Sequence, residues 1–158
     1  MKPILIIAAM PLEVLLLENT LAQPVRFKTN GFDYLEGRLG NQQIVVCAGG
    51  IGKINAGAAT AVMIERHHPR LVINTGCAGA YIGSGLSIGN LVVASEEVLA
   101  DEGVIMEEGW KDLRYMSLPT FEAGGRPCFN TIPLSKHTSE KAMQLADYFG
   151  VFMMRGRF

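Results

Sequence analysis

Residues 71–79, Leu-Val-Ile-Asn-Thr-Gly-Cys-Ala-Gly, decide the fold of this chain. The stretch runs from β-forming residues into a turn, Gly76 to Gly79, that carries no bulky side chain. A strand that ends in such a turn presents bare backbone N–H and C=O groups at its carboxyl end, which is where open α/β sheets bind small molecules. The sequence therefore predicts an α/β fold with a binding site at this edge of the sheet.

Two similar units precede this stretch. Residues 44–48 form an apolar run that leads into Gly49-Gly50-Ile51-Gly52-Lys53, and residues 4–9 lead into Met10-Pro11-Leu12-Glu13. Because the carboxyl ends of parallel strands meet at one sheet edge, the three loops predict a composite pocket that contains one carboxylate.

Apolar periodicity predicts the remaining elements. In the helix expected over residues 53–67, the predicted apolar face consists of Ile54, Ala58, Ala61 and Val62. Residues 101–133 show weak patterning and are predicted to form a long loop, and residues 151–154 resemble the start of a strand. The predicted strands cover residues 3–9, 32–39, 43–48, 71–75 and 90–98, and the other helices cover residues 12–22 and 135–148.

Composition restricts the class of protein. With 158 residues, 49% hydrophobic and 18% charged, the chain is predicted to form one domain, residues 1–158, with a sizeable core. So low a charged fraction indicates surface hidden against a partner, most simply a second copy of the chain, a homodimer. The net charge of −1 predicts no nucleic-acid partner and no anionic membrane surface.

Short apolar runs and the cysteine count indicate a cytoplasmic protein. The longest apolar runs are interrupted by Glu13 and are too short to span a bilayer, and a lone Lys2 argues against a secretory signal. Cys47, Cys77 and Cys128 are odd in number and fit no metal spacing, so we expect reduced thiols and no metal site.

The glycine-rich loops do not match the standard nucleotide-phosphate motifs. In the run that ends Gly52-Lys53, Cys47 stands where a phosphate loop has its first glycine, and Ile54 stands where Ser or Thr would bind magnesium. Gly83-Ser84-Gly85 precedes a predicted strand rather than a helix, which excludes a dinucleotide fingerprint. We therefore expect no cofactor.

Glu13 has two interpretations of similar weight. A carboxylate near the third position of a helix is favourable simply because it faces the positive end of the helix dipole. The same placement, directly after a buried strand, also overlooks the carboxyl edge of the sheet, where a carboxylate could act as a general base on water.

His67-His68 and Cys77 are interpreted mainly as structural. The two histidines close a helix before Pro69, where imidazolium complements the negative end, and adjacent histidines point away from each other. Cys77 has no histidine placed by the sequence to activate it, so a small buried thiol is the simpler interpretation.

Three segments together resemble the signatures of the purine nucleoside phosphorylase/methylthioadenosine nucleosidase superfamily. They are Ala9-Met10-Pro11-Leu12-Glu13-Val14, Gly50-Ile51-Gly52-Lys53 and Asn74-Thr75-Gly76-Cys77-Ala78-Gly79. Later residues are similar to the futalosine hydrolase branch: Ala78 to Tyr81, Gly83 to Leu86, Ala100 to Val104 and Gly109 to Leu113.

The resemblance implies a three-layer fold with a central mixed, twisted sheet flanked by helices, incomplete at the C-terminus. It implies hydrolysis of the N-glycosidic bond of a purine nucleoside, most simply futalosine to hypoxanthine and dehypoxanthinyl futalosine in menaquinone biosynthesis. Each site residue is implied in the same way: Glu13 deprotonates the attacking water, Cys77 lies beside it, Ala78 and Gly79 flank the purine, Ile51 packs near the sugar, and Val104 reaches the dimer partner's site.

Other interpretations stay open. Family members continue with a Met-Glu segment for the ribose and an aspartate that protonates the purine, so we expect this 158-residue form to be weakly active or inactive. The alternative enzyme is a 5′-methylthioadenosine/S-adenosylhomocysteine nucleosidase, and a phosphorylase fits less well because the strand carries Asn74 where an arginine might bind phosphate. A non-catalytic dimerising fragment is the alternative from a different class.

Overall fold

A computed structural model describes residues 2–158, which form two compact units, residues 2–79 and Ala80–Phe158. The first unit contains one five-stranded sheet and two helices, and the second contains a three-stranded sheet, two hairpins and one helix. The predicted mixed α/β fold is therefore confirmed, whereas the single domain over residues 1–158 stays a prediction.

The sheet of the first unit has the strand order β2-β3-β4-β1-β5. β1 pairs in parallel with both β4 and β5, whereas β2, β3 and β4 form an antiparallel meander. The parallel pairs bring the carboxyl ends of β1, β4 and β5 to one edge. The elements are β1 Ile4–Ala8, α1 Pro11–Thr20, β2 Ala22–Thr29, β3 Phe32–Leu39, β4 Gln42–Ala48, α2 Lys53–His67 and β5 Leu71–Asn74.

Both faces of this sheet are covered, which makes the first unit three-layered. Side chains of β1 alternate between the two faces, so the continuous apolar run of this central strand supplies both cores. The core that includes α2 contains Leu5, Ile7, Tyr34, Val45, Cys47, Ala59 and Met63. The core that includes α1 contains Ala8, Val14, Leu21, Leu35, Ile44 and Val46.

The predicted apolar face of α2 was wrong. Ala59 and Met63 are fully buried, whereas Ile54 is 88% exposed and Val62 only borders the core. This alanine-rich helix carries apolar residues on several sides, so periodicity alone does not select a face. Close packing decides it, because a Cβ built on Gly49 would lie 2.5 Å from the Cβ of Ala59.

Strand β2 was missed by the sequence prediction. Pro24 lies inside it, but β2 is an edge strand and the proline coincides with a register shift between Ala22 and Val25, where a proline is tolerated. The turn that follows is Asn30-Gly31, with φ of 46° and 85°. This dipeptide is the strongest short hairpin signal in a sequence, and it was overlooked.

The second unit is built on β6, which pairs antiparallel with β11 and parallel with β12. Residues 101–133, predicted to be a loop, instead contain two hairpins and β11, so that prediction was wrong. Their strands have only three or four residues, too few for alternation to show. The elements are β6 Leu91–Val98, β7 Gly103–Met106, β8 Gly109–Asp112, β9 Phe121–Ala123, β10 Arg126–Cys128, β11 Thr131–Pro133, α3 Lys136–Tyr148 and β12 Met153–Arg157.

Asn130 fixes the loops of the second unit. Its side chain is buried, its Nδ2 donates to the carbonyl oxygens of Leu99 at 2.8 Å and Glu102 at 2.6 Å, and its Oδ1 accepts from Leu113 N at 2.8 Å. One amide thus satisfies three backbone groups from two segments of the chain.

We expect Asn130→Ala to lower the free energy of unfolding by about 2 kcal/mol, because three backbone groups lose their partner. Urea unfolding measures this loss, and Asn41→Ala at an exposed turn position serves as the control. Equal stability of the two variants would contradict the role given to Asn130.

His67, the last residue of α2, is half-buried beside the core residue Tyr34. Its ring contacts Tyr34 edge-on at a centroid distance of 5.1 Å, its Nδ1 lies 3.8 Å from Glu36 Oε1, and its Nε2 is buried without a hydrogen-bond partner. Burial lowers the pKa of His67, the Glu36 carboxylate opposes this, and Arg66 adds to it.

Between the folded-state pKa of His67 and about pH 6.5, the unfolded chain therefore binds more protons at His67 than the folded chain, so the free energy of unfolding falls as the pH drops through this range. Above it, the contribution is constant. Urea unfolding at pH 8 and pH 5.5 should show a smaller acid-induced loss in His67→Gln than in the parent. His68→Asn, at the exposed neighbouring position, should keep the full loss; the reverse pattern would refute the assignment.

Within residues 2–158, the structure contains no helix that is long and apolar enough to cross a membrane.

Candidate functional site

Glu13 lies in the first turn of α1, three residues after the N-cap residue Met10. Pro11 occupies the first helical position, where its missing N–H costs nothing. The Oε2 atom of Glu13 accepts hydrogen bonds from Ala9 N at 3.0 Å and from Met10 N at 2.8 Å. Met10 has no polar side chain that could cap the helix, so the Glu13 carboxylate stabilises the N-terminus of α1 by accepting from the backbone N–H of the N-cap residue.

The same carboxylate reaches a second element of the sheet edge. Glu13 Oε1 accepts a hydrogen bond from Cys77 N at 2.9 Å, three residues beyond the end of β5. Thr75 N donates to Ile7 O at 2.9 Å and so continues the parallel pairing past the strand. Capping of α1 does not require the bond to Cys77, which joins two loops far apart in sequence.

Gly76 leaves the space that this bond needs. A Cβ built on Gly76 would lie 2.6 Å from Glu13 Oε1 and 3.1 Å from its carboxyl carbon. The bare turn at residues 76–79 therefore allows the backbone to approach the carboxylate closely.

Backbone hydrogen bonds keep Glu13 ionised. The Cys77 N–H lowers the pKa of Glu13 most, the Met10 N–H adds to this, partial burial opposes it, and the Ala9 N–H contributes least. An ionised carboxylate has about four acceptor positions, of which three are used here. The remaining position is on Oε1, beside the turn, and can accept a hydrogen bond from a water molecule.

The other predicted site residues are placed as follows. Cys77, Ala78 and Gly79 are exposed in the segment after β5, and Ile51 is 70% exposed before α2. The predicted burial of the Cys77 thiol was wrong, because the residue lies in the turn beyond the strand rather than in the sheet. Val104 belongs to the second unit, where it is half-buried in β7 opposite Lys111. The structure thus brings Glu13 and Cys77 into contact, and the roles of the others stay predictions.

Two cavities flank this edge of the first unit. One, of about 480 Å³, is apolar and lies between α2 and β5, with Ile7, Val72 and Asn74 in its wall. The other, of about 670 Å³, is more polar and is lined by residues from α1, the β2–β3 hairpin and Gly49-Gly50. Glu13 lines neither of these two cavities, so neither is the predicted pocket that contains its carboxylate, and that pocket stays a prediction.

Asn55 is a residue of this edge that the sequence analysis missed. Its Nδ2 donates to Ile51 O at 2.8 Å, which fixes the loop before α2. The available signal was an asparagine three residues after Gly52, in the first turn of a helix, where such side chains bond to nearby backbone. Within residues 2–158, no group of three His, Cys, Asp or Glu side chains is arranged to hold a metal ion.

An α/β unit in which a charged carboxylate meets a bare turn at the carboxyl edge of parallel strands is typical of proteins that bind small molecules. The comparison with protein families makes this class specific. The chain matches the Phosphorylase superfamily over residues 3–146 and belongs to that family.

Two curated relatives are named as the same enzyme. The chain is 43% identical over 91 residues to a 5′-methylthioadenosine/S-adenosylhomocysteine nucleosidase from an Exiguobacterium species, and the alignment covers 58% of this chain and 39% of the relative. It is 34% identical over 119 residues to the enzyme of that name from Listeria innocua, and that alignment covers 75% of this chain and 50% of the relative. The chain therefore spans about half the length, or less, of these relatives.

A solved structure supports the fold over nearly the whole chain. The nucleosidase of this name from Neisseria meningitidis, crystallised with methylthio-immucillin-A, matches 99% of this chain and 63% of its own length. The TM-score is 0.80 and the sequence identity 28%. The predicted nucleosidase-like fold is confirmed by this match.

Proposed function

We propose that the protein carrying this sequence hydrolyses the N-glycosidic bond of a purine nucleoside. The observation that carries the proposal is the hydrogen bond between Glu13 Oε1 and Cys77 N, which places an ionised carboxylate with one free acceptor position beside a bare turn. The family and the names of the relatives support the same chemistry.

The geometry suits water attack on a ribosyl cation. As the bond from C1′ to the purine nitrogen breaks, its electron pair leaves with the purine and positive charge develops on the sugar. A fixed negative charge at Glu13 stabilises that charge. Water held by Oε1 then forms the new C1′–O bond and transfers one proton to the carboxylate. The departing purine anion takes up a proton from solvent and Glu13 releases its proton to solvent, so the products are the neutral purine and the sugar, and the ionised carboxylate is restored. A base of low pKa suffices because the cation is a strong electrophile.

For the substrate, we favour 5′-methylthioadenosine or S-adenosylhomocysteine over futalosine. Relatives of 43% and 34% identity are both named for the first two compounds. The resemblance of residues 100–104 and 109–113 to the futalosine branch supports futalosine as the second candidate.

A homodimer belongs to the same proposal. Four large apolar side chains of α1, of α2 and of the loop before α2 are exposed by 70% or more, and contact with a second copy would bury such side chains. They are Leu12, Leu16, Ile51 and Ile54. Cytoplasmic location stays a prediction from the cysteines.

Product release separates the substrates. We expect kcat/KM for adenine release from 5′-methylthioadenosine to exceed that for hypoxanthine release from futalosine by at least about tenfold, the ratio given by 1.4 kcal/mol of transition-state binding. Turnover should not change when phosphate is added, as hydrolysis requires. A preference for futalosine would select the second candidate, and phosphate-dependent turnover would refute hydrolysis.

A further inference from the structure

We propose that Gly49 and Gly50 are positioning residues for Glu13, acting through the two peptide groups that hold Glu13 Oε2. The inference rests on the proposed function only for its effect on turnover. The hydrogen-bond geometry that carries it is independent of the reaction.

The first connection passes through the peptide group between Ala9 and Met10. Gly50 N donates to Ala9 O at 3.0 Å, and the N–H of that same peptide group, on Met10, donates to Glu13 Oε2 at 2.8 Å. A hydrogen bond accepted by a peptide carbonyl polarises the group and strengthens the bond that its N–H donates.

The second connection has the same form, one residue earlier. Gly49 N donates to Ala8 O at 2.9 Å, and the N–H of that peptide group, on Ala9, donates to Glu13 Oε2 at 3.0 Å. Both donors to Oε2 therefore belong to peptide groups whose carbonyls are bound by the two glycines.

Packing holds the two glycines in place. Gly50 has a φ of +104°, and a Cβ there would lie 3.1 Å from Asn55 Nδ2. Asn55 in turn holds the carbonyl of Ile51 at 2.8 Å. Gly49 fits against fully buried Ala59, where an added Cβ would lie only 2.5 Å away. Glycine is therefore required at both positions.

Two carboxylate oxygens with different partners result from this arrangement. Oε2 is held by two polarised donors and is fixed in orientation, which leaves Oε1 bonded to Cys77 N with one acceptor position free. On the segments that carry the donors, residues 8–13, 49–53 and 75–77, the ionisable side chains besides Glu13 are those of Lys53 and Cys77. The lowered pKa of Glu13 follows from backbone donors rather than from these side chains.

The direct test removes one N–H without adding an atom. Glycolic acid in place of Gly50 exchanges the amide for an ester, and NMR of ¹³C-labelled glutamate follows the carboxyl titration, with Glu13→Gln identifying the Glu13 signal. We expect the pKa of Glu13 to rise by about 0.3, the size given by a loss of a tenth to a third of one charged hydrogen bond. An unchanged pKa would overturn the proposal.

The same exchange at Gly31 is the matched control. Gly31, like Gly50, has a positive φ, here +85°. It lies in the β2–β3 turn, with open space around it, and is not bonded to the peptide groups that hold Glu13. The Glu13 pKa should be unaffected there. A rise equal to that at Gly50 would show a general effect of the ester and would overturn the proposal.

A second pair of variants does not need the ester. Gly49→Ala should raise the Glu13 pKa and lower turnover, because the new methyl group collides with Ala59 and displaces the segment. Adding Ala59→Gly returns that space and should restore both values toward those of Ala59→Gly alone. If Gly49→Ala does not fold, the double variant still carries the comparison, and a double variant without restored pKa would contradict the proposal.

The two proposals fail in different ways. A raised Glu13 pKa in a protein that hydrolyses no nucleoside would leave the positioning role intact and refute the proposed function. Normal hydrolysis by the parent protein, with an unchanged Glu13 pKa in the Gly50 ester variant, would refute the positioning role and leave the proposed function intact.

Discussion

Glu13→Gln is expected to lower kcat for nucleoside hydrolysis by about 10²–10⁴-fold, the usual contribution of a positioned proton acceptor. The amide is uncharged, so it neither accepts the proton of water nor stabilises the cation. Substrate binding does not depend on that proton, and KM should change by less than kcat. Steady-state release of adenine from 5′-methylthioadenosine measures both constants.

Loss of a structural hydrogen bond must be separated from loss of the base. The amide oxygen of glutamine can still accept from Ala9 N and Met10 N, as in a capping box, but its NH₂ group then faces Cys77 N, and two donors cannot bond to each other. Glu13→Gln should therefore also lower the free energy of unfolding by about 1 kcal/mol. Glu65→Gln, at an exposed position on α2, should change neither constant. A loss of less than tenfold in kcat for Glu13→Gln would rule out its role as the base.

The contribution of Glu13 to the free energy of unfolding decreases at acid pH. Because the folded pKa of Glu13 lies below its ordinary value of about 4.3, the carboxylate is still ionised when free glutamate is half protonated. The stability that its ionised form contributes is complete above about pH 4.3 and is lost as the pH falls through the folded pKa.

Gly76→Ala is expected to lower kcat by about 100-fold, because a misplacement of about 1 Å at a reacting group has effects of this size. The added Cβ would lie 2.6 Å from Glu13 Oε1, so either the carboxylate or the turn must move and the bond to Cys77 N is lost. Glu13 should then titrate at a higher pH, since the donor that lowers its pKa most is gone.

Gly57→Ala is the matched control for this change. The position lies within α2, and a Cβ there meets no atom within 4 Å, so activity should be retained. Thermal unfolding of both variants shows whether Gly76→Ala acts on the fold. Wild-type kcat in a folded Gly76→Ala protein would contradict the importance of this contact.

Sequence reasoning found the central elements because their signals are strong. A buried parallel strand such as β1 is continuously apolar, and Pro11 marks a helix start, so β1, α1, β4, α2 and β5 were predicted close to their observed bounds. The short hairpins of the second unit carry their signal in turns, such as Gly124-Gly125 with φ of 57° and 74°, rather than in strand pattern.

The candidate site could also be predicted only in part. Glu13 and the turn at residues 76–79 could be predicted to lie at one edge, because parallel strands end together. Their contact through Cys77 N is a backbone bond, which no side-chain pattern encodes. The hydrogen bonds from Gly49 and Gly50 could not be predicted for the same reason. The partner of Asn55, the carbonyl of Ile51, depends on the loop conformation, which the sequence does not specify.

The most direct test of the account is a crystal structure of the protein with a nucleoside transition-state analogue. We expect a water molecule about 2.6–3.2 Å from Glu13 Oε1, on the side of the analogue's C1′ position opposite the purine, with the Cys77 N–H still bonded to the carboxylate. A bound analogue whose C1′ faces a water held by another residue, with Glu13 bonded only to backbone, would contradict it.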